Sequence, residues 1–123
     1  MLRYSNFALR INPSVHIELA TAARLDASGD AVSAFAHLQR AHILGQSSTV
    51  QHVRVHWAMF CWALRHNVVG ETVGQLWRIV GAALKTWLWV PTGNTGGANV
   101  SGFKPMPVPA DLQQRIDAAR AMN

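Results

Sequence analysis

The sequence predicts an all-α protein, a small antiparallel bundle of two helical hairpins. Apolar residues recur with the 3.6-residue helical period along most of the 123 residues. Helix start and stop residues divide that pattern into five pieces. No stretch alternates polar and apolar residues over a useful length, so no strand is expected. Residues 1–123 are therefore expected to form a single helical domain.

The first two helices are expected to form a hairpin that resembles a tetratricopeptide unit. Asn12-Pro13-Ser14 predicts the start of the first helix, because proline is favoured at the first helical position, and Gly29 predicts its end. Asp30 predicts the start of the second helix, which Gly45 ends. The likeness rests on Ala22, Leu25, Gly29, Asp30, Ala34, Leu38, Arg40, Ala41 and Leu44. It implies hairpin geometry alone, since a solenoid needs at least three stacked units.

The second hairpin has equally clear limits in the sequence. Ser48 followed by Gln51 is a capping box for a third helix that is expected to end near residue 66 or 67. A fourth helix is expected from Gly70 to Pro91. Its Glu71, Arg78 and Lys85 recur every seven residues and predict a solvated face opposite Leu76, Val80 and Trp87.

A long Gly/Asn/Pro-rich loop, residues 90–109, follows the fourth helix. Loops of about 20 residues are uncommon in compact domains and are often functional. Residues 93–101 could expose consecutive backbone N–H groups to an anion, so this segment is interpreted either as a ligand lid or as a crossover. Pro109-Ala110-Asp111 then predicts a short C-terminal helix.

Composition excludes several classes of protein. Half of the residues are hydrophobic and 14% are charged, which excludes wholesale disorder. The single cysteine, Cys61, excludes an intrachain disulfide and a multi-thiolate zinc site, and it fits a reducing, cytoplasmic location. No secretory signal and no membrane span are expected. Although the net charge is +5, the bases are dispersed, so no nucleic-acid partner is expected.

Helix geometry sorts the six histidines into inward and outward positions. His52 and His56 share one stripe of the third helix with Met59, and the opposite stripe, Arg54, Ala58, Cys61 and Arg65, is expected to face solvent. His42 lies on the inward side of the second helix. Because the turn between these helices is short, His42 and His52 should share one level of the bundle. His16 reaches that level but is expected to be structural or at the surface, and His37 is expected at the surface or at an interface. His66 lies about 21 Å along the helix from His52.

These positions predict a transition-metal site formed by His42, His52 and His56. The His-x-x-x-His spacing lets two imidazoles bind one ion, and a third completes a set suited to zinc, copper, nickel or iron. Gln46 and Asn94 or Asn99 could orient the ligands. The opposing interpretation is that each histidine is an ordinary core residue bonded to a backbone carbonyl, although burying three adjacent imidazoles without use is unfavourable.

Two other functions stay open. An enzyme could use His42, His52 and His56 as general acid and base or as ligands of a catalytic metal, with Arg78 as a further catalytic candidate. Gln46, Asn94, Thr95 and Asn99 would then bind a small polar substrate under the 93–101 loop. An interaction module could instead form a homodimer through Trp77, Leu84, Leu88 and Trp89. The partner is accordingly a metal ion, a small polar molecule or a second copy of the chain.

Several motifs resemble an uncharacterised bacterial family of about this length, classed as a domain of unknown function. They are Ala-His-x-Leu-Gly-Gln at 41–46, His-x-x-x-His at 52–56, Gly-Gln-Leu at 74–76, Arg-Ile-Val-Gly-Ala-Ala at 78–83 and Gly-Asn-Thr-Gly-Gly-Ala-Asn-Val-Ser at 93–101. The likeness spans about residues 14–116, and some members lie near heavy-metal resistance genes. It implies a bacterial cytoplasmic protein with a link to metal stress, and it implies no particular fold, activity or site.

Overall fold

Five α-helices account for most of the chain that the structure describes. The computed structural model describes residues 2–83 and 106–122, with side chains for residues 6–79 and 106–122. The helices are α1 (Leu2–Ala27), α2 (Ala31–Gly45), α3 (Thr49–Arg65), α4 (Val69–Ala83) and α5 (Ala110–Ala121). No strand occurs in the described ranges, so the all-α prediction is confirmed.

Several expected features lie outside the described residues. They are the 93–101 loop with Asn94, Thr95 and Asn99, and Leu84, Lys85, Trp87, Leu88, Trp89 and Pro91.

The helices pack as two hairpins. Helix α1 pairs with α2, α3 pairs with α4, and α2 lies beside α3. Helix α5 packs across α1 and α2, and α1 also contacts α3. A continuous apolar core joins these elements, with Val15 from α1, Leu44 from α2, Met59 from α3 and Leu112 from α5 at its centre. The α3–α4 hairpin thus reaches this core through α3.

Side-chain caps fix where α2 and α3 begin. The Asp30 carboxylate accepts a hydrogen bond from the backbone N–H of Ser33, and the Ser48 hydroxyl accepts one from that of Gln51. Both predicted helix starts are confirmed. The capping box is only half formed, because the Gln51 side chain donates instead to Asn12 Oδ1 on α1. Gln51 therefore ties the start of α3 to α1.

The predicted start of α1 is wrong. The helix begins at Leu2, and Pro13 lies inside it. Proline removes one helical hydrogen bond, which normally disfavours an interior position. Ile11 and Val15, on either side of Pro13, are both completely buried in the core. We attribute the continuous helix to this packing, which offsets the local cost at Pro13.

The predicted orientation of α4 is also wrong. Glu71 and Gln75 are buried, whereas Leu76 and Trp77 are exposed. The amide of Gln75 hydrogen-bonds to His56 of α3, so the polar stripe of α4 faces its neighbouring helix. The apolar stripe consequently points outward.

The stripe of α3 that was expected to face solvent instead borders a groove. This groove between α1, α2 and α3 has a volume of about 280 Å³, and half-buried Ala58 and Cys61 line it. Arg54 donates to Asn12 Oδ1, and Arg65 pairs with Asp26. Both arginines therefore extend toward α1, which is why this side of α3 is half covered.

Candidate metal centre

Three histidine side chains from two helices converge in the interior. His42 of α2 and His52 and His56 of α3 are 1%, 3% and 2% exposed. The three ring centroids form a nearly equilateral triangle with sides of 4.7–4.8 Å. The Nε2 atom of His52 lies 2.9 Å from that of His42 and 3.0 Å from that of His56. The three ring nitrogens therefore point at one small volume.

The turn between α2 and α3 brings the histidines together. Gly45 ends α2, and a Cβ atom added there would lie 2.9 Å from Cβ of Gln51. Real Cβ atoms do not approach so closely, so a larger residue would push the two helices apart. The absence of a side chain at Gly45 lets the end of α2 lie against the first turn of α3. His42 thereby reaches the level of His52, as the sequence predicts.

Helix α4 holds His56 in a defined orientation. Nδ1 of His56 donates to Oε1 of Gln75 at 2.5 Å, and Nε2 of Gln75 donates to Oε1 of Glu71 at 2.5 Å. With its proton on Nδ1, a neutral His56 presents a bare lone pair on Nε2. Hydrogen bonds of this kind orient metal-binding histidines and raise their basicity as ligands. These two hydrogen bonds, the Gln75–Glu71 relay, thus direct the lone pair on Nε2 of His56 toward the other two rings.

The surroundings keep His56 neutral. The pKa of its imidazole is about 4 instead of the usual 6.5. Burial is the largest cause of this decrease, the Gln75 hydrogen bond opposes it, and the positive charge of Arg78 adds to it. Burial also lowers the pKa of Arg78, while Glu71 raises it. At neutral pH a neutral imidazole, which is the form that binds metals, is therefore available.

Hydrogen bonds among the rings of His42, His52 and His56, which we call the triad, do not satisfy all three Nε2 atoms well. Nε2 of His52 has a single in-plane orbital, which holds either a proton or a lone pair, yet it faces two other nitrogens. A proton there must be shared between His42 and His56. A lone pair there could accept a hydrogen bond from His42, but it would face the lone pair on Nε2 of His56. A cation at the centre would accept all three lone pairs. At metal–nitrogen distances of 2.0–2.1 Å the nitrogens would lie about 3.3 Å apart in a tetrahedral site and about 3.5 Å apart in a planar one, so His42 and His56 would each move only slightly away from His52.

Every histidine, cysteine, aspartate and glutamate of the chain has a described side chain. His42, His52 and His56 are the group that could hold a metal ion, with one ligand nitrogen from each residue and all three within 4.8 Å of one another. The sequence-derived ligand set is the set that the structure brings together.

The remaining predicted residues lie in different surroundings. Gln46 is buried, and its Oε1 atom has no hydrogen-bond partner among the described residues. Arg78 is half-buried on α4 rather than on a solvated face, and its positive charge lowers the pKa of His56. Met59 is completely buried and belongs to the core cluster.

The other three histidines lie away from the triad and contact charged residues. His16 is exposed beside Arg54, half-buried His37 contacts Glu18, and His66 contacts Asp26.

Sequence reasoning missed Gln75 and misplaced Glu71. Glu71 is predicted on a solvated face, because acids on surface helices normally face solvent, and Gln75 has no predicted role. A signal was nevertheless present. Glu71, Gln75 and Arg78 are spaced i, i+4 and i+7, which forms one polar stripe on a helix whose other residues are largely apolar. Such a stripe can as well be the buried side when the facing helix offers polar partners.

Comparison with known proteins gives one positive finding. Residues 10–116 match a family model described as "Protein of unknown function (DUF3703)". No curated protein and no solved structure matches the chain. Among the described residues, no helix combines the length and apolar character needed to span a membrane.

Proposed function

The chain belongs to the DUF3703 family, whose description assigns no function, and from the geometry of its interior we propose that the protein binds one transition-metal ion through His42, His52 and His56. The observation that supports this most directly is the convergence of three buried Nε2 atoms, with His52 2.9 and 3.0 Å from its two neighbours. Zinc, copper, nickel and iron are the ions that imidazole ligands suit.

The energetics of burial support the same proposal. Neutral imidazoles in the interior lose hydration, and each needs a compensating interaction. A bound ion would supply that interaction to all three rings at once, because it takes the lone pair of each. The Gln75–Glu71 relay also supports the proposal. It places a hydrogen-bond acceptor on the far nitrogen of His56, as in metal sites where such a partner orients a histidine ligand.

We place this binding in metal stress in a bacterial cytoplasm. The support is the resemblance of the motifs at 41–46, 52–56 and 93–101 to proteins encoded near heavy-metal resistance genes. The buried ligands also suit retention of an ion better than fast exchange, because release requires the rings to separate.

The direct test is metal analysis of the purified protein after loading and removal of excess ion. We expect one equivalent in the wild type and none in the His52→Ala variant. His16→Ala is the matched control, because it removes an exposed imidazole outside the triad. Circular dichroism shows whether each variant keeps its helices.

A second variant tests the site if His52→Ala does not fold. Gln75→Leu leaves the three ligands in place but removes the partner of His56, and we expect metal affinity to fall about 10–100-fold. A wild-type protein that retains no ion under any loading condition would contradict the proposal. So would a Gln75→Leu variant that folds and binds the ion as tightly as the wild type.

Catalysis is a second candidate function, favoured by the size of the ligand set. Three protein ligands plus an open position are typical of catalytic zinc sites, whereas structural zinc sites have four. Zinc-loaded protein would then hydrolyse a small activated ester, and the activity would disappear in His52→Ala. If zinc-loaded wild type lacks this activity, catalysis is excluded and metal binding remains as the proposed function.

We also propose that the protein forms a homodimer. Val69, Val73, Leu76 and Trp77 give α4 an exposed apolar stripe, and closed two-fold pairing of identical stripes is the commonest way in which soluble proteins cover such a surface.

A further inference from the structure

The surroundings of the triad carry almost no net negative charge. Neutral imidazole ligands contribute none. Glu71 is the acid connected to the triad, through Gln75. Arg78 lies on the same stripe of α4 as Glu71 and Gln75, one turn beyond Gln75. Consistent with this position, its positive charge lowers the pKa of His56 and the charge of Glu71 raises the pKa of Arg78. The positive charge of Arg78 therefore opposes the negative charge of Glu71 beside the triad.

The rest of the chain supplies no further negative charge to this site. Six acids occur in the whole sequence, and the other five have partners elsewhere. Glu18 pairs with Arg40 and Arg115, Asp26 with Arg65, and Asp111 with Arg40, while Asp30 caps α2 and Asp117 accepts from Gln113. Residues 84–105 contain Lys85 and Lys104 but no acid, so that segment cannot add negative charge.

The free-energy cost of burying an ion depends on the charge of the ion. The cost of moving an ion from water into a poorly solvated interior rises with the square of its charge, so a doubly charged ion suffers about four times the penalty of a singly charged one. Carboxylate or thiolate ligands offset that penalty in many protein sites. Here the donor set has neither, since it consists of His42, His52 and His56 alone.

From this arrangement, and resting on the metal-binding function proposed above, we infer that the site is selective for a singly charged ion and that this ion is copper(I). Among the metals that imidazole suits, copper has a stable singly charged form. Copper(I) has a filled d shell and accepts three ligands in a plane, so three converging nitrogens satisfy it without a further ligand. Zinc(II) at the same place would need an anion from solution.

The first measurement compares affinities in the wild-type protein. Copper(I) is titrated without oxygen against a chromophoric copper(I) chelator, and zinc(II) against a chromophoric zinc chelator. Silver(I) serves as a second singly charged ion that does not change oxidation state. We expect one copper(I) per chain, held at least about tenfold more tightly than zinc(II), which is a difference of one decade in Kd.

The second measurement varies the charge beside the site without touching a ligand. Glu71→Gln keeps an acceptor for the Gln75 amide but removes the negative charge. Because the interaction of Glu71 with the ion scales with ionic charge, a variant that weakens copper(I) binding by some factor should weaken zinc(II) binding by about the square of that factor. Arg78→Gln should strengthen both, zinc(II) again more than copper(I). Arg120→Gln, at an exposed position of α5, is the control and should change neither affinity.

The outcomes separate this inference from the proposed function. Zinc(II) held as tightly as copper(I), or equal changes for the two ions in Glu71→Gln, would overturn the preference for a singly charged ion while leaving metal binding intact. Failure of copper(I), silver(I) and zinc(II) alike to bind the wild type would overturn both. Tighter copper(I) binding with the squared dependence for zinc(II) would establish the inference.

Discussion

At the scale of single residues, Glu18 shows how this protein uses a buried charge. Its carboxylate is 2% exposed and joins three helices. His37 and Arg40 of α2 lie 2.6 and 3.2 Å from its oxygens, and Arg115 of α5 lies 3.0 Å away. Arg40 also pairs with Asp111 at the start of α5. Glu18 is thus a structural charge matched by cations, whereas His42, His52 and His56 contact one another and, through His56, the neutral amide of Gln75.

Glu18 should make stability depend on acid pH. Burial raises the pKa of its carboxyl, but the hydrogen bond from His37 and the charges of Arg40 and Arg115 lower that pKa more, so its pKa lies below the usual value of 4.5. The charged form is therefore favoured by folding, and its contribution is present above about pH 4.5 and is lost as pH falls through the pKa of the folded state.

We expect Glu18→Gln to lower the free energy of unfolding at pH 7 by roughly 1–3 kcal/mol. The difference between variant and wild type should shrink below about pH 4, where the wild-type carboxyl becomes protonated and resembles the amide. Urea unfolding followed by circular dichroism over this pH range measures it, with exposed Asp117→Asn as the control. A difference that stays constant with pH would show that shape rather than charge is responsible.

At the scale of elements, the short connection between α2 and α3 decides the geometry of the triad. Gly45 is buried, and its missing side chain permits the contact with Gln51. Ser48 starts α3 within the same turn. Two consecutive local features therefore fix the height of His42 relative to His52, and the helical repeat adds His56 one turn further.

Gly45→Ala tests the importance of that connection. The added methyl group would meet Gln51 Cβ at 2.9 Å, so we expect a loss of roughly 1–3 kcal/mol in the free energy of unfolding, as for other overpacked interiors. Metal affinity should fall as well, since the helices must move apart.

Gly70→Ala is the matched control for this change. Gly70 lies in α4 with nothing within 4 Å of an added Cβ atom, so alanine should raise stability by about 0.5–1 kcal/mol through its higher helix propensity. Thermal unfolding of the two variants should therefore give shifts of opposite sign. A Gly45→Ala protein as stable as the wild type would show that the two helices can separate at little cost.

At the scale of the whole molecule, the orientation of α4 links the site to the surface. Burying Glu71 and Gln75 against α3 leaves Val73 and Trp77 outside, where Trp77 is 73% exposed. Trp57 of α3 is exposed as well, at 58%. If two copies associate through α4, the helix that holds His56 in position also lies at the interface between the copies.

We expect Trp77→Glu to abolish the proposed dimer, because a charge at the centre of an apolar contact is strongly unfavourable. Light scattering after size exclusion, over a range of protein concentrations, gives the molar mass directly. Val32→Glu is the control, since Val32 is 81% exposed on α2, away from α4. A wild type that is monomeric at every concentration would exclude the dimer.

Much of the fold and the cluster of three histidines could be predicted because the signals are local. The caps at Asp30 and Ser48 and the spacing of His52 and His56 depend on a few neighbouring residues and the helical repeat. The start of α1 could not be predicted in this way. Pro13 is a strong local start signal, but core contacts of Ile11 and Val15 outweigh it.

Local patterns were sufficient to predict that helices form, where α2 and α3 begin, and that His42 and His52 share one level with His56 one turn further on the same side, because hydrogen bonding within a helix and across a short turn is a short-range effect. The buried face of α4, by contrast, depends on packing between helices. An amphipathic helix can present either stripe to a neighbour, and its choice depends on the partners opposite it. Here the His56 imidazole provides a hydrogen-bond partner for Gln75, and the polar stripe turns inward.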